Sequence, residues 1–150
     1  MSTYCRRTVE LDAASSDTAV PTVVESADAA LAVITTAMHR PMRPQVIVLV
    51  LDTDLRGHTV VIVDGAKSPD AVIEVVELVA EGAAESAHPA SIVVAAVRPD
   101  YDALPGDADR WLELCEIAET HGCELLEWFV FSDDVAWCPR DLLAEAPRWP

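Results

Sequence analysis

The hydrophobic residues of this chain fall into short unbroken runs and into longer stretches with helical spacing. Residues 45–51 and 91–97 are almost entirely apolar and rich in β-branched side chains, which is typical of strands covered on both faces. Residues 59–63, 125–131 and 135–137 predict further strands. Because only a short polar turn separates residues 45–51 from 59–63, we expect these two strands to form an antiparallel hairpin.

Three helices are predicted, one before the first of these strands and two between them. Ser26 is a good N-cap for a helix over residues 26–39, which Pro41 ends. Ser68 and Pro69 predict the start of a second helix over residues 68–86. The third predicted helix covers residues 107–121 and stops at Gly122, and a last helical turn is predicted over residues 140–145.

Apolar residues at helical spacing indicate which face of each helix is buried. On the second helix these residues are Val72, Val75, Val76, Val79 and Ala83, and on the third they are Trp111, Leu114, Cys115 and Ala118. The opposite face of the second helix carries Glu74, Glu77, Glu81 and Glu85, which is typical of a solvent-exposed surface.

The element order predicts an α/β fold. Helices and strands follow one another in the order α, β, β, α, β, α, β, β, which favours a three-layer mixed β-sheet with helices on both faces. A chain of 150 residues suits one domain. We assign that domain to residues 26–150 and predict that residues 1–25 form a flexible N-terminal segment, either a mobile tail or a loosely docked arm.

The formal net charge of −16 restricts the partners of this protein. Residues 68–150 hold eighteen acidic and four basic residues, whereas residues 1–67 are close to balance. Such a surface repels phosphate backbones and anionic membranes, so we expect neither nucleic-acid nor membrane binding. A solvated acidic surface is the simplest interpretation, and a protein partner, particularly a basic one, also fits the charge. The oligomeric state stays open.

The sequence contains none of the common catalytic or metal-binding motifs that we sought, and we expect no cofactor. No two of its four cysteines are separated by two residues, the spacing of common zinc-binding and redox motifs. Cys115, His121 and Cys123 are therefore interpreted as buried thiols and an isolated histidine rather than as a zinc site. No secretory signal pattern follows Arg6 and Arg7, and the expected location is the cytoplasm. Trp137 and Trp149 are candidate exposed aromatic residues of an interface.

Three segments resemble the RadC-like JAB domain, a zinc metallopeptidase family. They are VIVLVLD at residues 46–52, ASIVVAAVRPDYDALPGDADRW at residues 90–111 and LLEWFVFSDDVAW at residues 125–137. The resemblance extends over residues 26–143, and Pro99, Pro105 and Asp109 lie at the spacing of the family. It implies a fold similar to the deaminase-like α/β sandwich.

Characterised relatives in that family hold Zn²⁺ through two histidines and one aspartate, and use a glutamate and a serine in catalysis. The resemblance places the two histidines on Ala96 and Arg98, the serine on Gly106, the aspartate on Asp109 and the glutamate on Pro44. One of these five residue types, the aspartate, is retained. Since alanine offers no ligand atom and arginine stays protonated, the resemblance implies a vestigial site without zinc isopeptidase activity.

Two hypotheses concern what replaces the metal. In the first, Arg98 neutralises Asp109 in an internal ion pair, and the protein is a non-catalytic binding or scaffolding module. The alternative is an enzyme of different chemistry in the same cleft, with a divalent cation held weakly by Asp100, Asp102, Asp107 and Asp109. A structural subunit that needs its complex to function is a third possibility.

Overall fold

The computed structural model describes residues 5–10, 23–85, 91–133 and 135–150. Within these ranges the strands are β1 (Cys5–Glu10), β2 (Gln45–Leu51), β3 (Gly57–Asp64), β4 (Ser91–Val97), β5 (Glu124–Ser132) and β6 (Val135–Trp137). The α-helices are α1 (Ala27–Ala37), α2 (Ala71–Ala84) and α3 (Asp107–Thr120), and a 3-10 helix covers Pro139–Leu143. The prediction of an α/β fold is confirmed.

The strands form one mixed sheet in the order β1-β3-β2-β4-β5-β6. The predicted hairpin of β2 and β3 is present, and the two strands pair antiparallel. β4 pairs antiparallel with β2 and parallel with β5, and α3 connects these parallel strands. The parallel pair requires such a crossover, because a tight turn joins only antiparallel strands.

Alternate residues of the strands contribute to two hydrophobic clusters, as the two-residue period of a strand requires. All seven residues of β4 are buried. Ile92, Val94 and Ala96 belong to a cluster that also contains residues of α2 and α3. Val93, Ala95 and Val97 belong to a second cluster, to which α1 contributes Ala30 and Ile34.

The predicted buried faces of the helices are correct. All five apolar residues named for α2 and all four named for α3 are buried. The glutamates at positions 74, 77, 81 and 85 are exposed, as predicted. The spacing of apolar residues was therefore sufficient to orient both helices against the sheet.

Of the starts predicted for α1 and α2, the first is correct and the second is wrong. The Ser26 side chain caps α1 by accepting a hydrogen bond from the Ala29 amide at 3.2 Å, as predicted. The start predicted for α2 at Ser68 is wrong: the N-cap is Asp70, and the helix begins at Ala71. Ser68 instead accepts a 3.3 Å bond from the Asp70 amide and so belongs to the turn before the helix.

The N-terminal part of the chain contributes a strand that the sequence pattern did not predict. β1 pairs antiparallel with β3 from Cys5 opposite Asp64 to Glu10 opposite Thr59. Val24 is buried, and its amide donates to the Leu55 carbonyl at 2.7 Å. Residues 1–4 and 11–22 lie outside the described residues, and the flexibility of residues 1–25 stays a prediction.

The C-terminal segment is held against the sheet by a buried ion pair. Glu127 in β5 is 1% exposed, Arg140 in the 3-10 helix is 8% exposed, and Arg140 Nη2 lies 3.0 Å from Glu127 Oε2. The expectation that Trp137 and Trp149 are exposed is wrong. Both are partly buried, because Trp137 packs on the first hydrophobic cluster and Trp149 on the second.

Candidate functional site

A cleft of about 250 Å³ lies where the start of β2, the end of β4 and the chain entering α2 meet. The antiparallel register places Gln45 opposite Val97, so these two strand ends lie side by side. The lining residues are Pro44, Gln45, Val46, Ala66, Lys67, Ser68, Pro69, Val72, Ala96, Val97, Arg98, Pro99, Asp100, Tyr101 and Leu104. Most of them are apolar, with few charged groups between them, as in small-ligand pockets.

The cleft contains three of the five positions that the family resemblance singled out. Pro44, Ala96 and Arg98 line it. Gly106 and Asp109 are not among the lining residues. Gly106 has a φ of 87°, a left-handed conformation that favours glycine, and it precedes the first residue of α3. Asp109 lies in the first turn of α3 and is exposed.

Arg98 forms a buried, two-pronged ion pair with Asp107. Nη1 and Nη2 of Arg98 each donate to one carboxylate oxygen of Asp107 at 2.9 Å. The side chain of Arg98 is 8% exposed and that of Asp107 is fully buried. The two planar groups match in geometry, which makes this kind of pair strong and directional.

The hypothesis that Arg98 pairs with Asp109 is therefore corrected: its partner is Asp107. Successive helical residues are rotated by about 100°, so residues two apart point to different faces. Asp107 is buried at the start of α3, whereas Asp109 is exposed. An acid of this segment does neutralise Arg98, but it is Asp107 and not the predicted Asp109.

Two further donors converge on Asp107. The Leu104 amide donates to Oδ2 at 2.8 Å, and Arg110 Nη1 donates to Oδ1 at 2.9 Å. Arg110 also contacts Asp70, with Nε 2.9 Å from Oδ1. Burial raises the pKa of Asp107, but the hydrogen bonds from Arg98 and Leu104 and the neighbouring guanidinium charges outweigh it. The net pKa lies below the ordinary 3.8.

Arg98 is fixed by contacts on several sides. Its Nη1 also donates to the Asp102 carbonyl at 3.3 Å, and its backbone amide donates to the Phe131 carbonyl at 2.7 Å. The guanidinium carbon lies 5.6 Å from the centre of the Trp128 ring, within cation–π range. These contacts hold the Arg98 side chain in one position at the edge of the cleft.

The four aspartates of the loop do not form one cluster. Both oxygens of Asp107 accept hydrogen bonds from the groups already named, and Asp102 Oδ1 lies 3.3 Å from the Ser132 hydroxyl. Asp100 lines the cleft, while Asp109 does not. Across the described ranges, no three His, Cys, Asp or Glu side chains are placed to hold a metal ion. A weak cation site at Asp100, Asp102, Asp107 and Asp109 stays a hypothesis.

The cysteines of α3 and of the segment that follows are structural in character. Cys115 is 7% exposed and Cys123 is 5% exposed, and both belong to the first hydrophobic cluster. Burial raises the pKa of Cys115 to about 11, so its thiol stays protonated near neutral pH. The interpretation of Cys115 and Cys123 as buried thiols is confirmed.

Sequence reasoning missed several polar residues that the fold brings together. Gln45, at the first position of β2, is 2% exposed, accepts a bond from the His39 amide and donates to Asp64. Glu127 lies inside the strand predicted over residues 125–131, and its ion pair was not predicted. A glutamate inside an otherwise apolar run was a usable signal, because a buried carboxylate needs a cationic partner. That partner, Arg140, is thirteen residues away in sequence.

No protein-family model and no curated protein matches this chain. None of the helices in the described residues has the length and apolar character that crossing a membrane requires. The geometry of the cleft and the buried charges around it are therefore the basis for proposing a function.

Proposed function

We propose that this protein is a non-catalytic, RadC-like JAB domain that acts as a binding or scaffolding module, with the cleft as its binding site. The observation that carries the proposal is the buried Arg98–Asp107 pair. In this proposal the neutralised Arg98 takes the place of a zinc-binding histidine of the family, which supports a site without metal. The two hydrophobic clusters, one shared with α2 and α3 and the other with α1, support the three-layer arrangement that this assignment requires.

The side chains at the cleft are poor ligands for zinc. Ala96 has no donor atom, and Arg98 carries a permanent positive charge that opposes a cation. Zinc in catalytic sites takes three nitrogen, sulfur or carboxylate ligands from the protein. Pro44 likewise offers no group that could accept a proton from a bound water. These residues suit recognition of a ligand better than hydrolysis.

The proposed partner is a protein, and charge favours a basic one. α2 and α3 pack side by side, and both present exposed carboxylates to solvent. The exposed acids on these helices are Glu74, Glu77, Glu81, Asp109, Glu113, Glu116 and Glu119. Complementary charge accelerates association and discriminates against acidic competitors. We propose a cytoplasmic location for this encounter.

Metal analysis tests the proposal. Protein purified without added metal is expected to contain far less than one zinc per chain. The matched variant is Ala96→His/Arg98→His, which supplies two imidazoles at the cleft and frees Asp107 from Arg98. We expect this variant to take up zinc. Stoichiometric zinc in the unmodified protein would overturn the proposal, and zinc in neither protein would contradict the assigned position of the site.

The alternative, an enzyme that uses a divalent cation at the aspartate-rich loop, has less support from the geometry. Arg98 and Arg110 already neutralise Asp107, and a cation would have to displace them. A thermal-shift titration with millimolar Mg²⁺ or Ca²⁺ distinguishes the two functions. Stabilisation that disappears in Asp100→Asn/Asp102→Asn would favour the enzyme.

A further inference from the structure

Lys67 is the single lysine of a chain whose net charge is −16, and it lies at the cleft. It is exposed, and its ammonium group makes no ion pair or hydrogen bond with any residue that the structure describes. Its backbone amide is held by the Gly65 carbonyl at 2.9 Å, which fixes the position of the residue in the turn. Lys67 therefore offers a free positive charge at the cleft.

The other charged groups of the cleft are distributed unevenly. Arg98 lines the cleft, but its positive charge is already neutralised by Asp107. Asp100 is exposed and contributes one negative charge. Residues 69 and 72 bring the N-terminal end of α2 to the cleft. The dipole of this helix favours an anion there, Asp70 at the N-cap is paired with Arg110, and Glu74 in the first turn adds one negative charge.

From this arrangement we infer that the cleft binds a small organic molecule carrying a single carboxylate group. The carboxylate pairs with Lys67, and a compact apolar body lies against Val46, Val72 and Ala96. The inference rests on the proposed function in one respect, namely that the cleft serves binding and not metal catalysis. At about 250 Å³ the cavity is slightly smaller than the usual range for ligand pockets, about 300–1,000 Å³, which favours a compact ligand.

Charge also favours a carboxylate over a phosphate. One free ammonium balances one negative charge, and no second unpaired cation lines the described cleft. A dianionic phosphate would carry an additional charge close to Asp100 and into the field of a strongly acidic molecule. The apolar walls would at the same time leave phosphate oxygens without partners.

The test uses cyclohexanecarboxylate as the probe and its neutral analogue cyclohexanecarboxamide as the ligand control. Binding to the full chain is followed by ¹H–¹⁵N correlation spectra. Three variants accompany the unmodified protein: Lys67→Gln removes the charge, Lys67→Arg retains it, and Arg56→Gln removes one positive charge at the other end of β2. Inorganic phosphate is titrated in parallel.

We expect saturable shifts at the amides of residues 66–68 and 96–98 with the carboxylate. The Kd should rise about tenfold or more in Lys67→Gln, as expected for the loss of one charged hydrogen bond. The Kd of the carboxylate should stay within about threefold of its original value in Lys67→Arg and in Arg56→Gln. The neutral amide should bind the unmodified protein no more tightly than the carboxylate binds Lys67→Gln.

Three results would overturn the inference: no saturation at the cleft, equal affinity for the amide, or an affinity that Lys67→Gln leaves unchanged. Tighter binding of phosphate than of the carboxylate would overturn the assigned ligand class. These failures are distinguishable from failure of the proposed function, because the latter is decided by zinc content. A zinc-free protein that does not bind the carboxylate keeps its proposed function and loses this inference.

Discussion

Asp107 is the residue on which most interactions of the candidate site converge. Its fully buried carboxylate accepts two hydrogen bonds from Arg98, one from Arg110 and one from the Leu104 amide. Exchanging such a pair for apolar residues is often neutral, but removing one partner leaves a buried charge uncompensated. The stability of the site therefore depends on keeping Asp107 charged.

We predict that Asp107→Asn lowers the free energy of unfolding by about 3–5 kcal/mol, because Arg98 and Arg110 lose their shared counter-charge. Asp109→Asn is the matched control, since it removes an exposed carboxylate from the same turn. Its expected cost is at most about 1 kcal/mol, the value of an acid near a helix N-terminus. Urea denaturation measures both. Equal destabilisation by the two substitutions would contradict the assignment of Asp107 as the buried partner.

The lowered pKa of Asp107 predicts the direction of a pH effect. A carboxyl group with a depressed pKa in the folded state stabilises the protein above its unfolded pKa, near 3.8, and loses this contribution as pH falls through the folded value. The difference in unfolding free energy between the unmodified protein and Asp107→Asn should therefore shrink as the pH is lowered from about 6 towards 3. A difference that grows on acidification would refute this prediction.

Among the elements, α1 shows how one side chain sets a helix start. Ser26 accepts the hydrogen bond of the Ala29 amide, which otherwise has no partner in the first turn. Ser26→Ala should lower the free energy of unfolding by about 1 kcal/mol, and Ser26→Asp should restore most of it, because both Ser and Asp accept this bond. Chemical denaturation is the measurement. A Ser26→Asp variant as unstable as Ser26→Ala would argue against capping.

Apolar runs and helical spacing were sufficient to predict most elements, since burial determines them locally. β4 was predicted at its exact limits because all seven of its residues are buried. β1 was not predicted, because its sequence, Cys5–Glu10, includes two arginines and no apolar run. This strand exists through pairing with β3, which lies about fifty residues further along the chain. Pairing of that kind leaves no local pattern to read.

The candidate site was less predictable than the fold. The family resemblance assigned Pro44, Ala96, Arg98, Gly106 and Asp109 to one site. The first three line the cleft and the last two do not, so the site stays a prediction. The start of α3 at residue 107 was predicted correctly, so the wrong choice of Asp109 came from the family resemblance. Asp107 lies four residues before the buried Trp111 and therefore on the same face of the helix. The role proposed for Lys67 depends on its ammonium group having no partner among the described residues, which a sequence does not show.

At the scale of the whole molecule, charge is the dominant feature. Twenty-six acidic residues against ten basic ones produce self-repulsion that the compact state must withstand. Salt at about 0.1 M or above screens charges separated by more than roughly 10 Å. We predict that Tm rises between low and moderate NaCl, by about 2–4 °C for each kcal/mol of repulsion relieved. KCl is the control and should act equally. A Tm that falls with either salt would contradict this account.

The buried ion pair also has a consequence for the order in which the chain assembles. Leu104 and Asp107 are three residues apart and Arg98 and Asp107 nine, so bringing them together closes only short loops. The Arg98 amide instead bonds the Phe131 carbonyl, across the whole of α3. Since the entropy of loop closure grows with loop length, we predict that in pulse-labelling hydrogen exchange the Leu104 amide becomes protected before the Arg98 amide. Simultaneous protection would mean that the loop acquires its structure only when the parallel strands pair.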